Sequence, residues 1–315
     1  MKKILGLVTL LFAGAALATD SLSDKPIKII VPFQTGGPTD QVARIISNKL
    51  ELRLKTSVII ENKPGASATI GIDHVAKSQP DGRTLLLSSS SFIINHYFSD
   101  KLPYDVTKDF SHIVLISQIP QALIVSSNFN VKNVKELISY AKNNPDKVTY
   151  GSNGVGTANY IDAEIFSKLT NTKLFHIPYK GQTAVIADVL SGNINMAFVS
   201  VNNAISISKT GKVNILAVTS KQRSIAAPEI PTLHELGVKN FNSVSWFGLT
   251  TREGTPEYIL NKINDEVNII LKDPEVISKL EGIGGEIGGG NRKSFQDLIK
   301  TEHEKYADLV NILKK

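Results

Sequence analysis

Two short glycine-rich segments carry the residue types best suited to hold an anion. One is Thr35-Gly36-Gly37-Pro38-Thr39-Asp40, the other Ser152-Asn153-Gly154-Val155-Gly156-Thr157. Each follows a short strand-like run and opens a helix-like stretch. Small residues let a ligand come close to the main chain. The first N–H groups of a helix lack intrahelical partners, and the helix dipole adds partial positive charge there. Carboxylate or phosphate is the natural guest. Pro38 has no N–H, so the first segment offers the N–H groups of Gly36, Gly37 and Thr39 with the hydroxyls of Thr35 and Thr39. The second offers the side chains of Ser152, Asn153 and Thr157 and the backbone of Gly154 and Gly156. The alternative is a pair of ordinary strand-to-helix turns. For Asp40 that alternative is preferred, because a carboxylate repels an anion and suits a first-turn acceptor, with Gly37 as N-cap.

Other chemistry is poorly represented. No Gly-x-Gly-x-x-Gly follows the first strand, Gly-x-x-x-x-Gly-Lys-[Ser/Thr] is missing, and so is Gly-x-Ser-x-Gly. The histidines at 74, 96, 112, 176, 234 and 303 are isolated, without His-Glu-x-x-His spacing. Cysteine is absent, which excludes disulfides, Cys-ligated zinc, iron–sulfur clusters, a thiol nucleophile and an N-terminal lipidated cysteine. His176 reads as a strand or rim residue rather than a base. Tyr179 and Lys180 are candidate cleft residues, with a solvated role open to Lys180. Trp246 reads as core, with covering a ligand as the alternative. Catalytic residues, a metal site and a cofactor are therefore not assigned, and an enzyme is not expected. An exported hydrolase is the poorest of the readings kept.

The elements that must position these segments alternate strand and helix. Pro26 to Phe33 is a β-branched run, and the helix after it starts at Pro38, a residue suited to the first helical position. Val42, Ile45, Ile46, Leu50 and Leu54 form its apolar stripe. Strands at Val58-Ile59-Ile60-Glu61-Asn62 and Thr84-Leu85-Leu86-Leu87 flank a helix near 70–77. The second half repeats this grammar. It has strands at Ala122-Leu123-Ile124-Val125, Val148-Thr149-Tyr150-Gly151, Leu174-Phe175-His176-Ile177, Met196-Ala197-Phe198-Val199 and Ile215-Leu216-Ala217-Val218-Thr219. A helix after the second glycine segment would bury Ile161, Ile165 and Leu169. Helices near 256–271, 274–280 and 294–314 close the chain. Such alternation predicts βαβ units on a parallel sheet.

With 315 residues, 42% hydrophobic and 20% charged, the chain is long enough for two domains and has a globular composition. Residues 1–18, MKKILGLVTLLFAGAALA, read as an export signal: Lys2 and Lys3, an apolar stretch, then Ala16-Leu17-Ala18 for cleavage. The apolar stretch is shorter than the ~20 residues a bilayer span needs. An exported, periplasmic or extracellular protein is expected. Removing Lys2 and Lys3 lowers the formal +6 charge by two, and the remaining basic residues are dispersed. Nucleic acid is therefore not an expected partner.

A series of strings then resembles one family. Lys25 to Phe33 followed by Gly36-Gly37-x-Thr39-Asp40 is similar to the start of the Bug, or tripartite tricarboxylate transporter, solute-receptor family. Glu61-Asn62-Lys63-Pro64-Gly65-Ala66, Pro80-Asp81-Gly82-x-Thr84-Leu85 and Leu102-Pro103-Tyr104-Asp105 resemble its further signatures. So do Gly151-Ser152-x-Gly154-x-Gly156-Thr157, Pro178-Tyr179-Lys180-Gly181, Pro231-Thr232 and Trp246-Phe247-Gly248. The resemblance runs in order along the whole mature chain.

The resemblance implies an α/β, two-lobed periplasmic-binding-protein fold, type II-like, that closes on its ligand like a Venus flytrap. With the pattern above, lobe I is expected at 24–122 and 245–315 and lobe II at 123–244. Two loops are implied to pinch a ligand carboxylate through backbone donors and ordered water: Thr35, Gly36, Gly37 and Thr39 facing Ser152, Asn153, Gly154, Gly156 and Thr157. Phe33 and the loop from Ser88 and Ser89 to Ser91 are implied to line the cleft, with Tyr179, Lys180 and Gly181 opposite. Many members carry Asp just after the Met-Phe strand, where this chain has Val199-Ser200, which leans against an amino-acid ligand. The implied partners are a small carboxylate and the membrane subunits of a tripartite tricarboxylate-type transporter. Docking of the loaded protein to a sensor kinase is the alternative, and a monomer is expected.

Overall fold

The computed structural model describes residue 22, residues 25–99 and residues 101–313; the candidate export signal at 1–18 lies outside them. The first half runs β1 (Ile27–Val31), α1 (Pro38–Leu54), β2 (Val58–Asn62), α2 (Thr69–Ala76), β3 (Thr84–Ser89) and α3 (Ser90–Phe98). A long strand follows, β4 (Phe110–Ser126). The second half is α4 (Val134–Asn143), β5 (Val148–Ser152), α5 (Ala158–Thr170), β6 (Leu174–Pro178), α6 (Gln182–Ser191), β7 (Met196–Ser200), α7 (Val201–Ser208) and β8 (Val213–Val218). The chain returns through β9 (Val244–Arg252) to α8 (Glu257–Ile270), α9 (Pro274–Gly282), β10 (Glu286–Ile287) and α10 (Arg292–Leu313).

Local chemistry sets the ends of α1. Gly37 is the N-cap, Pro38 occupies the first helical position, and Lys55 stops the helix in a left-handed conformation. Val42, Ile46, Leu50 and Leu54 are buried as the spacing predicts, with Ile45 at the margin. On α5 the predicted stripe is rotated. Ile161 and Phe166 are buried, whereas Leu169 is 45% exposed. The helix gives its inner face to Asn159 and Asp162 as well, which apolar periodicity cannot show.

Strand order is β2-β1-β3-β9-β4-β7-β5-β6, with β10 and β8 also paired to β4. β1 pairs parallel with β2 and β3, and β5 pairs parallel with β6 and β7. The expected parallel sheet is found within each half but not at the centre: β9 lies antiparallel between β3 and β4, and β4 is antiparallel to β7, β8 and β10. Strands that return between two halves need not reverse through a helix, so they pair antiparallel.

β4 is the spine of both lobes. Up to Pro120 it pairs with β9, and from Gln121 onward with β7 and β8. The return crosses at the same level. Thr219 takes both main-chain groups of Gln121, donating N–H to its oxygen at 2.9 Å and accepting its N–H on Oγ1 at 2.9 Å, while Ser243 N–H donates to Thr219 O at 2.9 Å. Past this knot β4 alternates its side chains in period two. Ala122 and Ile124 join Val185 and Val189; Leu123 and Val125 join Leu137, Phe166, Phe198 and Phe241. Each large apolar side chain so buried contributes about 1.5–3 kcal/mol.

Candidate functional site

Four helices point their N-termini at one cavity. α1 and α3 come from the first lobe, α5 and α6 from the second, and the N-cap residue of each lines the cavity wall: Gly37, Ser89, Thr157 and Gly181. None of these four N-caps makes a side-chain capping bond. Two of them, Gly37 and Gly181, have no side chain to cap with; α4 and α9 are capped, Asn133 accepting from Glu136 N–H and Asp273 from Glu275 N–H, while α2, α7 and α8 also lack such a bond. Each helix start carries roughly half a positive charge, so the four together give about two positive charges without a cation. Among the described residues lining the cavity none is ionisable. Its volume is about 50 Å³, a few times the ~10–15 Å³ that one water requires, which suits a small molecule.

The first glycine segment divides its donors. Gly36 sits at φ +87°, and its N–H donates to Asp40 Oδ2 at 3.0 Å, so it is consumed within the turn and Gly36 does not line the cavity. Asp40 also accepts from Arg44 Nε at 2.8 Å and Asn62 Nδ2 at 3.0 Å. Burial pushes the Asp40 carboxyl up, but the Arg44, Gly36 and Asn62 bonds outweigh it and hold it below its ordinary value. The structural role expected for Asp40 is what the geometry provides. Phe33, Thr35, Gly37 and Thr39 remain at the cavity wall.

The second segment divides too. Asn153 and Thr157 line the cavity, but Ser152, Gly154 and Gly156 do not. Ser152 Oγ accepts Gly154 N–H at 3.0 Å and lies 2.6 Å from His176 Nε2. Gly154 and Gly156 have φ of +108° and +82° and face the first lobe: a Cβ on Gly154 would stand 2.8 Å from Ser67 Oγ, and one on Gly156 2.8 Å from Asn95 Oδ1. These glycines let the lobes touch. Ala158 N–H also donates across the gap to Ser91 Oγ at 3.4 Å.

Ser88 and Ser89 part company as well. Ser88 Oγ is spent inside the sheet on Gly248 O at 3.0 Å, whereas Ser89 lines the cavity. The expected loop through Ser91 is the end of β3 and the first turn of α3; four consecutive serines hid the helix start. Gly181 lines the cavity. Tyr179 and Lys180 lie instead along an adjoining groove with Phe33 and Asn153. Tyr179 OH donates to Asp188 at 2.6 Å, and desolvation with that carboxylate pushes its pKa up to about 12. His176 is a half-buried strand residue stacked on Tyr150, and burial lowers its pKa.

Several wall residues were not singled out as site residues, although Phe247 belongs to the Trp246-Phe247-Gly248 string. Gln121, Gln182, Thr183, Ser245 and Phe247 all line the cavity. Trp246 is core, 1% exposed, with Nε1–H donating to Glu302 at 3.2 Å. Strand alternation would have found its neighbours: with Trp246 turned inward on β9, Ser245 and Phe247 face the other way. No cluster of three or more His, Asp or Glu side chains able to hold a metal occurs among the described residues. Nor is any described helix long and apolar enough to cross a membrane.

Comparison with known proteins gives this cavity a context. Residues 42–314 match the family described as the tripartite tricarboxylate transporter family receptor. A protein of Pseudomonas sp. strain P51, from the tcbD-tcbE intergenic region, is 32% identical over 292 residues, covering 92% of this chain and 87% of its own. The fold superposes on the periplasmic binding protein BugD with a TM-score of 0.87 at 31% identity, covering 92% of this chain and 98% of that one. MatC of Rhodopseudomonas palustris, solved with bound malate, gives 0.87 at 27% identity, covering 91% and 99%. A two-lobed solute-receptor fold matched nearly end to end, and a family signature running from α1 to the last helix, lead to one assignment: the chain belongs to the tripartite tricarboxylate transporter receptor family.

Proposed function

We propose that this chain captures a small carboxylate between its lobes and delivers it to the membrane subunits of a tripartite tricarboxylate-type transporter. The observation that carries this reading is the meeting of four helix N-termini, two from each lobe, on a cavity with no ionisable residue among the described residues of its wall. Such a wall suits an anion and is satisfied only when both lobes contribute. The malate bound by MatC supports a carboxylate as the guest. In this chain the ligand's carboxylate is held by Thr35, Gly37 and Thr39 on one side and by Asn153 and Thr157 on the other. The partner exchange of β4 at Pro120 and Gln121, with β9 starting at Val244, supports dividing the lobes at 122/123 and 244/245. Residues 1–18 direct export, and the working compartment is the periplasm.

Closure follows from the wall. In an open form each lobe offers two helix starts to water; bridging both by one carboxylate stabilises the closed form by the difference in affinity between the two states. Calorimetry of the mature protein, freed of co-purified solute by unfolding and refolding, tests this against mono-, di- and tricarboxylates, amino acids and nicotinate-like aromatics. Saturable binding of at least one carboxylate is expected; a folded sample that binds none of them overturns the reading.

A further inference from the structure

The cavity wall holds a side chain whose acceptor is unpaired. Gln121 lines the cavity, is 7% exposed, and lies where β4 passes between the lobes. Its main-chain N–H and oxygen are both taken by Thr219. Its side-chain Nε2 donates to Ser245 Oγ at 3.1 Å, on the other crossing strand, and Ser245 is equally buried. Its Oε1 has no hydrogen-bond partner. A buried acceptor left unpaired costs about 1–3 kcal/mol, so its persistence on a ligand wall points to a partner that arrives with the ligand.

Two other wall residues carry buried unpaired atoms that bear on what that partner is: Asn153, whose Oδ1 is a second acceptor, and Asn159. Asn159, 3% exposed and also on the wall, has its Oδ1 occupied by Asn153 N–H and the Thr157 hydroxyl, leaving Nδ2 as an unpaired donor. That donor, with the helix starts, serves a carboxylate. Gln121 Oε1 accepts only, so a second carboxylate against it would be repelled. An ammonium would satisfy it, but among the described residues no acidic one lines the cavity to balance the charge, and a desolvated charge without a counter-charge is costly. An uncharged donor fits both conditions.

Resting on the receptor reading above, we propose that Gln121, braced by Ser245, determines specificity, and that the ligand is a carboxylate bearing an uncharged hydrogen-bond donor, a hydroxyl or carboxamide, at the end facing the hinge. A site built around such a bond discriminates strongly against the analogue lacking it, because its own polar group is then left unpaired.

Calorimetry with matched pairs tests this: 4-hydroxybutanoate against butanoate, and glutaramate against glutarate. In at least one pair the donor-bearing member is expected to bind tenfold or more tightly. Gln121→Met, of similar shape but without the acceptor, is expected to erase that preference. Ser245→Ala should reduce it by a smaller factor. Carboxylate binding without preference in any pair overturns the inference while leaving the receptor reading intact. A preference that survives in folded Gln121→Met also overturns it. Failure to bind any carboxylate overturns the receptor reading itself, and this inference with it.

Discussion

Gly156 of the second lobe lies so close to Asn95 of the first that a Cβ added to it would stand 2.8 Å from Asn95 Oδ1 and 3.2 Å from Asn95 Cα. The contact flanks the cavity and exists only while the lobes meet. Gly156→Ala therefore has two separable effects. At φ +82° an alanine is strained whether the lobes are apart or together, by roughly 1–2 kcal/mol. The clash with Asn95 is added only on closure. Expected results are a modest fall in melting temperature and about a tenfold weaker carboxylate affinity, with small-angle scattering of the ligand-saturated variant showing a less compact particle. Unaltered affinity would mean that Asn95 yields freely and that the contact does not govern closure.

Gly37 is the opposite case. Its φ of −76° suits any residue, and an added Cβ meets nothing nearer than Gln34 O at 3.6 Å. Gly37→Val should cost the fold at most about 1 kcal/mol through a poorer N-cap. Yet Gly37 is on the cavity wall at the start of α1, so two methyl groups there obstruct the approach of a carboxylate. Calorimetry should show at least a tenfold loss of affinity with an almost unchanged melting curve. Normal binding by this variant would remove α1 from the ligand site.

These two glycines show how much of the site was legible in the sequence. A glycine declares that a side chain is unwelcome but not which neighbour forbids it. The first segment supplies Gly37 to the cavity and spends Gly36 on Asp40, while the second gives Gly154 and Gly156 to contact between lobes. Local pattern located both glycine loops and the starts of α1 and α5, though not that of α3, because strand runs, Pro38 and the glycine turns are local signals. Gln121 was silent for the converse reason, and Ser245 was legible only through its alternation with Trp246. Each is an isolated polar residue on a crossing strand, and only pairing between β4 and β9, far apart in the chain, brings them together. The stretch Phe110 to Pro120 was missed as strand because Ser111, His112 and Ser117 break its apolar pattern. All three are buried against partners from distant segments, Glu253, Thr250 and Glu286.

Asp162 is buried on α5, and burial raises its pKa to about 7, with Ser243 and the charge of Lys305 pulling only partly the other way. The unfolded chain releases this proton near pH 4, whereas the folded chain keeps it until about pH 7. Between those values the folded state binds the extra proton, so stability falls as pH rises and the loss is complete above pH 7. Asp162→Asn removes the titration. Urea unfolding should find the variant more stable than the parent by about 2–4 kcal/mol at pH 8, with the difference shrinking toward pH 4. A variant no more stable than the parent at pH 8 would mean that the carboxylate is compensated as an anion.

Asp40 has the reverse sign. Its carboxylate is the acceptor for Gly36 N–H, both Arg44 nitrogens and Asn62, and its pKa is held below the ordinary value despite burial. The folded state therefore favours the ionised form, and the stability this confers is fully present above pH 4 and lost as pH falls through the depressed folded-state value. Asp40→Asn keeps the shape but presents an amide to groups that are all donors. One N–H is left facing another donor in a buried turn, at a cost of about 1–3 kcal/mol. Urea unfolding at pH 7 should show that loss in full, and the gap between parent and variant should narrow below about pH 4 as the parent protonates. Because the same carboxylate anchors Gly36 one residue before the α1 N-cap, carboxylate affinity should fall too, although Asp40 is not on the cavity wall. Equal stability at pH 7 would show that the turn is held by its backbone alone, and the first loop would then owe nothing to its acid.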